Sequence, residues 1–276
     1  MARLCGSLDR SLGCRVPACD VGAPTTKHAM PLVESEAVVL RSSNFGEADK
    51  LVNFLTRGLG RLRGVAPNAR RSRRRFGAAL EPLSYVRVWF FEREHHHLVR
   101  LSESELIEAF YDARGQYERS LALNQIAELA DLMLPEREPA ERAFRLVLVT
   151  LAALKRAESV WLPLTYFQLW MVRLAGWLPA LEECSRCRRP LGEEKAYVSP
   201  ATGRFLCGRC RQAGMRVLSP SSRVAAAAML ASPLEKLDAA GWDRRRAAQL
   251  QAYLLDVIEY HGERKLVTRE LLYEKA

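Results

Sequence analysis

The 276-residue sequence predicts an α+β protein in which a small, basic β-barrel precedes a helical domain carrying a four-cysteine module. Three observations point there. Between Glu36 and Leu101, five short runs either alternate apolar and polar positions or are rich in β-branched and aromatic residues, as half-buried strands are. From Glu105 onward the apolar positions recur at three and four residues, the helical period. Two Cys-x-x-Cys pairs, separated by nineteen residues, then interrupt the helices.

The strand candidates are Glu36–Leu40, Lys50–Thr56, Arg61–Ala66, Leu83–Phe91 and His97–Leu101, with a turn-rich Ser43–Glu47 between the first two. Five strands in so short a segment suit a small closed barrel. Closure removes sheet edges, and the outer face of such a barrel can carry single-stranded nucleic acid. Tyr85, Trp89, Phe45 and Phe76 could stack on bases, although barrel filling competes for each of them. His95, His96 and His97 read as a hairpin turn rather than a metal site, because neighbours on extended chain point to opposite sides.

The segment Arg57–Arg75 holds eight arginines and no acidic residue, and Pro67-Asn68-Ala69 breaks its regularity. Guanidinium groups pair bidentately with phosphate and stack on bases, so a nucleic-acid backbone is the natural partner. A solvated loop without a ligand is the alternative. The charge distribution favours the former. Residues 34–100 carry 13 basic against 7 acidic side chains, and residues 184–216 carry 8 against 2. The middle, 105–180, carries 8 against 10, within a chain of net charge +10. Two basic patches around a near-neutral centre indicate a polyanion site. The candidate contacts are Lys50, Arg57, Arg61, Arg63, Arg70, Arg71, Arg73, Arg74, Arg75 and Arg87.

Helical periodicity is expected to start at Ser104–Tyr111, with Ser104 as the capping residue. Tyr117–Leu134 follows, stopped by Pro135, and Pro139 stands in the first turn of the next helix. Pro163 opens Leu164–Ala175, which is apolar almost all round and therefore central to a bundle. Pro220–Leu230 and a helix capped by Asp243 and running to Tyr260 complete the set. Arg244, Arg245 and Arg246 sit in a first turn, where the helix dipole disfavours positive charge, so a solvated face is their default role. No catalytic constellation is visible.

Cys184, Cys187, Cys207 and Cys210 have the spacing of a tetrahedral four-thiolate zinc site, with a hairpin of Tyr197–Ser199 and Arg204–Leu206 between the knuckles. Four thiolates leave no position for water, so the zinc would be structural. An iron–sulfur cluster or vacant, redox-active thiols remain open. The His261-Gly262-Glu263 triplet, a cue for nucleobase deaminases, follows the cysteines instead of preceding them and is set aside. Seven cysteines, an odd number, fit a reducing cytoplasm better than a disulfide framework. No apolar run is long enough to cross a membrane. Residues 1–33 are expected to be a disordered extension or sequence upstream of a start at Met30.

The stretches EAVVLRSSNFGEADKLVNFLTRGLGRLRGVAPNARRSRRRFGAALEPL and LAGWLPALEECSRCRRPLG…YVSPATGRFLCGRC resemble the RecO family of bacterial recombination mediators. The resemblance covers residues 34–272. It implies an OB-fold barrel at 34–104, then a helical domain at 105–276 with a zinc-ribbon-like element at 181–216. It also implies binding of single- and double-stranded DNA, annealing of complementary strands and, with a RecR-type partner, help in loading a recombinase on protein-coated single strands. Docking of the acidic C-terminal tail of single-stranded-DNA-binding protein on the helical domain is implied too. In place of the Lys-Gly pair frequent in that family stands Pro67-Asn68, which removes one expected phosphate contact; Arg73–Arg75 could compensate. An RNA-directed protein without recombination partners is the rival reading, and comparing DNA with RNA of equal length separates the two.

Overall fold

The computed structural model describes residues 31–72, 74–92, 97–110, 117–199, 201 and 203–274. The expectations for residues 1–30, for a start at Met30, and for Arg73, His95 and His96 lie outside those residues. Residues 31–276 form one compact unit.

Five strands close into a barrel: β1 (Leu32–Phe45), β2 (Asp49–Thr56), β3 (Gly60–Ala66), β4 (Ser84–Phe91) and β5 (Leu98–Ala109). Their order around the wall is β1-β2-β3-β5-β4, with β3 and β5 parallel and the other pairs antiparallel. Alternation along each strand sends Ala37, Val39, Val52, Phe54, Leu62, Val86, Val88 and Phe90 inward, with Phe54 and Phe90 edge to face at 6.0 Å. Phe76, Ala79 and Leu80 join the same core from the segment after β3. That segment is therefore tied to the barrel by its own apolar side chains.

The helix expected over Ser104–Tyr111 is not formed. Residues 104–109 continue β5, pairing with β4 as far as Ala109 opposite Ser84, and leave Leu106 and Ile107 about 40% and 44% exposed. An unsatisfied β4 edge offers a full hydrogen-bond ladder, and that tertiary gain overrides the weak local preference of a glutamate-rich segment for helix. Leu32 and Val33, expected to lie in the extension, belong to β1.

Helices α1 (Tyr117–Met133), α2 (Glu141–Arg156), α3 (Trp161–Leu174), α4 (Pro220–Ala231) and α5 (Arg244–His261) build the second layer. Asp243 caps α5 by accepting from the Arg246 backbone N–H, as its sequence position implies. The apolar α3 is buried over most of its length. Its two interior polar side chains are satisfied in part: Thr165 donates to the Trp161 carbonyl (2.6 Å) and the Gln168 amide nitrogen to Gln125 (2.8 Å), while the Gln168 side-chain oxygen is buried without a partner among the described residues. Val38, Leu40, Leu55 and Leu83 on the outer barrel wall share one core with these helices, so barrel and bundle are fused by packing.

The chain end is held by charge. Glu259 is buried and accepts from the Leu266 N–H (2.9 Å), Lys265 (3.0 Å) and Arg269 (2.8 Å). Burial opposes its ionisation, but those donors outweigh it and hold the carboxyl below the ordinary glutamate value. A depressed carboxylate pKa stabilises the fold above the unfolded pKa, about 4.3, and the contribution disappears as pH falls through the folded value. Glu259→Gln is accordingly expected to lower the melting temperature at neutral pH. The deficit should shrink on acidification below about pH 4; a deficit independent of pH would remove the charge from the account.

Candidate nucleic-acid interface and metal centre

Register determines which charges share a face of the barrel. Because Val52, Phe54 and Leu62 point inward, Leu51, Asn53, Arg63 and Val65 point outward. Arg41 stands opposite Asn53, which stands opposite Arg63; Ser43, Leu51, Val65 and Arg100 form the next row. Arg41, Arg63 and Arg100 are exposed and have no ion pair among the described residues. Phe45 ends this face with about half of its surface open.

The arginine loop is stitched to the turn between β1 and β2. Asn68 N–H donates to Asp49 (2.8 Å), Arg70 N–H to the Ala48 carbonyl (3.0 Å), and the Arg70 guanidinium to the Glu47 carbonyl (2.8 Å). Asn68 adopts φ of 55°, the left-handed conformation that Asn and Gly tolerate best. Arg75 closes the loop, donating to the Pro67 carbonyl (2.7 Å) and to Ser72 (3.3 Å) while lying over the Phe76 ring at 5.1 Å. Arg75 thus shapes the loop. The side chains of Arg71 and Arg74 are exposed with no hydrogen-bond or ion-pair partner among the described residues, on the same loop as Arg70.

Four other candidates are engaged with carboxylates. Lys50 pairs with Glu81 (3.2 Å), Arg57 with Glu36 (3.0 Å), and Arg87 with Glu34 (3.4 Å) and Glu105 (3.9 Å). Arg61 is turned inward. It bonds the Leu134 carbonyl (2.9 Å), Asp131 and Glu136 (3.2 Å each), which makes it a joint between β3 and the end of α1. The charges of these four are partly compensated where they stand, Arg61 and Arg87 by two carboxylates each and Lys50 and Arg57 by one. Arg87 lies on an acidic wall, since Glu36, Arg87 and Glu105 form one cross-strand row and Glu34, Trp89 and Glu103 the next. Trp89 donates to Glu34 (3.0 Å), Tyr85 packs on Phe144 (6.3 Å between rings), and Phe76 is core, which leaves Phe45 as the exposed aromatic of the four.

Arg41 and Arg100 were missed by reading the sequence. A bulge between Val39 and Arg41 shifts the register of β1, placing Arg41 on the same face as Arg63. Arg100 is recognisable only once β5 is known to lie parallel to β3.

The four cysteines converge as their spacing implies. Their sulfurs lie within 4.8 Å of one another, with Cys187 and Cys207 at 3.8 Å. A tetrahedron with metal–sulfur bonds of about 2.3 Å has edges of about 3.8 Å, so the donor set fits zinc. Each knuckle is a tight turn: Arg188 N–H donates to the Cys184 carbonyl (2.8 Å) and Cys210 N–H to the Cys207 carbonyl (3.0 Å). Burial raises the Cys184 thiol, but N–H groups of Cys187, Cys207 and Arg186 outweigh it and bring the pKa down to about 6. Cys207 is lowered by the same competition between burial and backbone N–H groups, while burial and its cysteine neighbours push Cys210 up to about 12. Two thiols of the quartet are thus made more acidic and a third less so.

Strands β6 (Ala196–Ser199), β7 (Arg204–Leu206) and β8 (Arg216–Leu218) form a small sheet in the order β7-β6-β8. The hairpin lies where the sequence places it, whereas β8, three residues long, gives no periodic signal. Phe205 packs on Tyr253 of α5 (5.5 Å), and buried Arg223 of α4 donates to the carbonyls of Leu181 (2.9 Å), Gly192 (2.6 Å) and Glu194 (2.7 Å). The module is therefore built into the bundle. Asp256 of α5 adds an ion pair with Arg216 at 2.6 Å.

Comparison with known proteins agrees with this arrangement. The family described as Recombination protein O N terminal matches residues 30–110, and Recombination protein O C terminal matches residues 114–270. A protein named DNA repair protein RecO from Koribacter versatilis is 44% identical over 241 residues, covering 87% of this chain and 98% of its own length. Proteins of the same name from Anaeromyxobacter dehalogenans and Streptomyces griseus are 33% and 34% identical, covering 89% and 88% of this chain and 97% and 99% of their own.

Proposed function

The chain belongs to the RecO family of DNA repair proteins, and from that premise we propose that it is a non-enzymatic DNA-binding mediator. It holds single- and double-stranded DNA, anneals complementary strands and assists recombinase loading on protein-coated single strands. The observation that supports this is the barrel face that carries Arg41 and Arg63 in one cross-strand row and Arg100 in the next, with the exposed Phe45 at its end and the exposed Arg70, Arg71 and Arg74 on the loop stitched to the β1–β2 turn. Barrels of this topology bind oligonucleotides on the face of strands 2 and 3 and on the flanking loops.

The chemistry is electrostatic. Each guanidinium that meets a phosphate releases counterions, and a stacked base on Phe45 adds about 1–3 kcal/mol. Two strands held against one cationic surface lose much of their mutual repulsion, so annealing accelerates without a bond being made or broken. Zinc on the four cysteines is structural, supplying a cross-link that holds the ribbon. A RecR-type partner, docking of the acidic tail of single-stranded-DNA-binding protein, and a cytoplasmic location follow from the family premise. No helix among the described residues is long and apolar enough to cross a membrane.

Salt dependence tests the reading. Six phosphate contacts predict a slope of about −4 for log affinity against log salt on single strands. Arg63→Ala with Arg100→Ala is expected to reduce its magnitude by about 1.4 and to slow annealing. An unaltered slope in that double variant would take the outer row out of DNA binding.

A further inference from the structure

Six of the arginines of the metal module divide into two sets. Arg188 pairs with Glu183 (2.7 Å), Arg189 with Glu194 (2.6 Å) and Arg216 with Asp256 (2.6 Å), so these three hold the ribbon to itself and to α5. Arg186 on the first knuckle, Arg204 on β7 and Arg209 on the second knuckle are exposed, and each is without an ion pair among the described residues. Register places Arg204 opposite Ser199 and on the same face as Tyr197, while Phe205 and Val198 take the buried face. Arg211 lies over the Tyr197 ring at 5.2 Å and donates to its hydroxyl (3.1 Å), forming a flat guanidinium–phenol pair beside the second knuckle.

Structural zinc ribbons need none of this. Holding a metal and packing on α5 are accomplished by the cysteines, Phe205, Arg223 and the three ion pairs, yet Arg186, Arg204 and Arg209 stay exposed without ion pairs among the described residues, in the same module as the Arg211–Tyr197 stack. Unpaired like charges in one small module cost stability through repulsion, and a polyanion removes that cost. Single-stranded nucleic acid fits such a surface better than an acidic peptide does, because Arg and Tyr planes both stack on bases as well as meet phosphates.

We infer that the outer face of the ribbon, with Tyr197, Arg186, Arg204, Arg209 and Arg211, is a second DNA-strand site that holds one strand while the barrel holds the other. This rests on the barrel being the first site. Annealing on one chain then needs no second copy, since two strands are bound by two surfaces of the same compact unit.

The test uses the full chain loaded with zinc and two non-complementary short single strands, one labelled with a donor and the other with an acceptor dye. The wild type is expected to give energy transfer from a complex of two strands on one chain. Arg186→Ala, Arg204→Ala and Arg209→Ala together should weaken second-strand binding about a hundredfold at 0.1 M salt, leaving first-strand affinity unchanged. Lysine at the same three positions should restore most of it, because the charge is retained. Should the alanine triple lose its metal, Arg204→Gln leaves both knuckles intact and is expected to weaken the second strand about fivefold. Binding of only one strand by the wild type, or two-strand binding undiminished in a folded alanine variant, overturns the inference. The Arg63→Ala, Arg100→Ala variant supplies the separate control: unchanged first-strand binding there would fault the barrel and not the ribbon.

Discussion

Replacing Arg70, Arg71 and Arg74 together by alanine is expected to reduce the salt slope for single strands by about two and to abolish annealing at physiological salt. The magnitude follows from counterion release: three lost phosphate contacts cost about a hundredfold in affinity at 0.1 M salt when extrapolated from binding that is equal at 1 M. The fold should survive, because the loop is held by Arg75 on the Pro67 carbonyl and by Phe76, Ala79 and Leu80 in the barrel core, none of which is altered. Only Arg70 makes a structural contact of its own, through one side-chain bond to the Glu47 carbonyl, and its backbone N–H still bonds Ala48. Melting temperature and binding should therefore separate, with the first nearly constant and the second greatly reduced. A triple variant that anneals at the wild-type rate would place the DNA elsewhere.

Cys184→Ser, or treatment with a strong chelator, is expected to unfold the ribbon and leave barrel binding largely intact. Structural zinc sites of this type contribute apparent free energies of about 10–16 kcal/mol, far more than a sheet of ten residues can supply by packing. Cys184 and Cys207 are completely buried, so vacating the metal leaves their sulfurs out of water and facing the other cysteines without the ion that would hold them together. Losing the ribbon frees Phe205 from Tyr253 and Arg223 from its three carbonyls, and α4 should loosen with it. Limited proteolysis between Cys184 and Cys210 should accelerate sharply, with one equivalent of zinc released. First-strand binding should change only a few-fold, because none of the barrel arginines contacts the module. A chain that resists proteolysis without metal would refute the structural role.

Much of the fold was legible in the residues. Alternating or β-branched runs placed all five barrel strands, and Pro135 and Asp243 marked helix ends, while the helix expected to open at Pro163 starts two residues earlier, at Trp161, with the proline in its first turn. The metal quartet was specified by spacing alone, since two Cys-x-x-Cys turns can meet one ion without help from distant chain. The segment 104–109 was misread because its local composition favours helix while its pairing partner, β4, is remote from any window of sequence.

The binding face shows the same division more sharply. A run of arginines is visible in composition, and that much the sequence determined by itself, as it did the barrel, the bundle and the convergence of the four cysteines. Which guanidiniums are available was decided only by tertiary structure. Arg61 and Arg87 are spent on carboxylates brought in by α1, β1 and β5, whereas Arg41 and Arg100 join Arg63 through a bulge and a parallel strand pair. Charge is a property of the residue, but its availability depends on what neighbours the fold brings within reach of it.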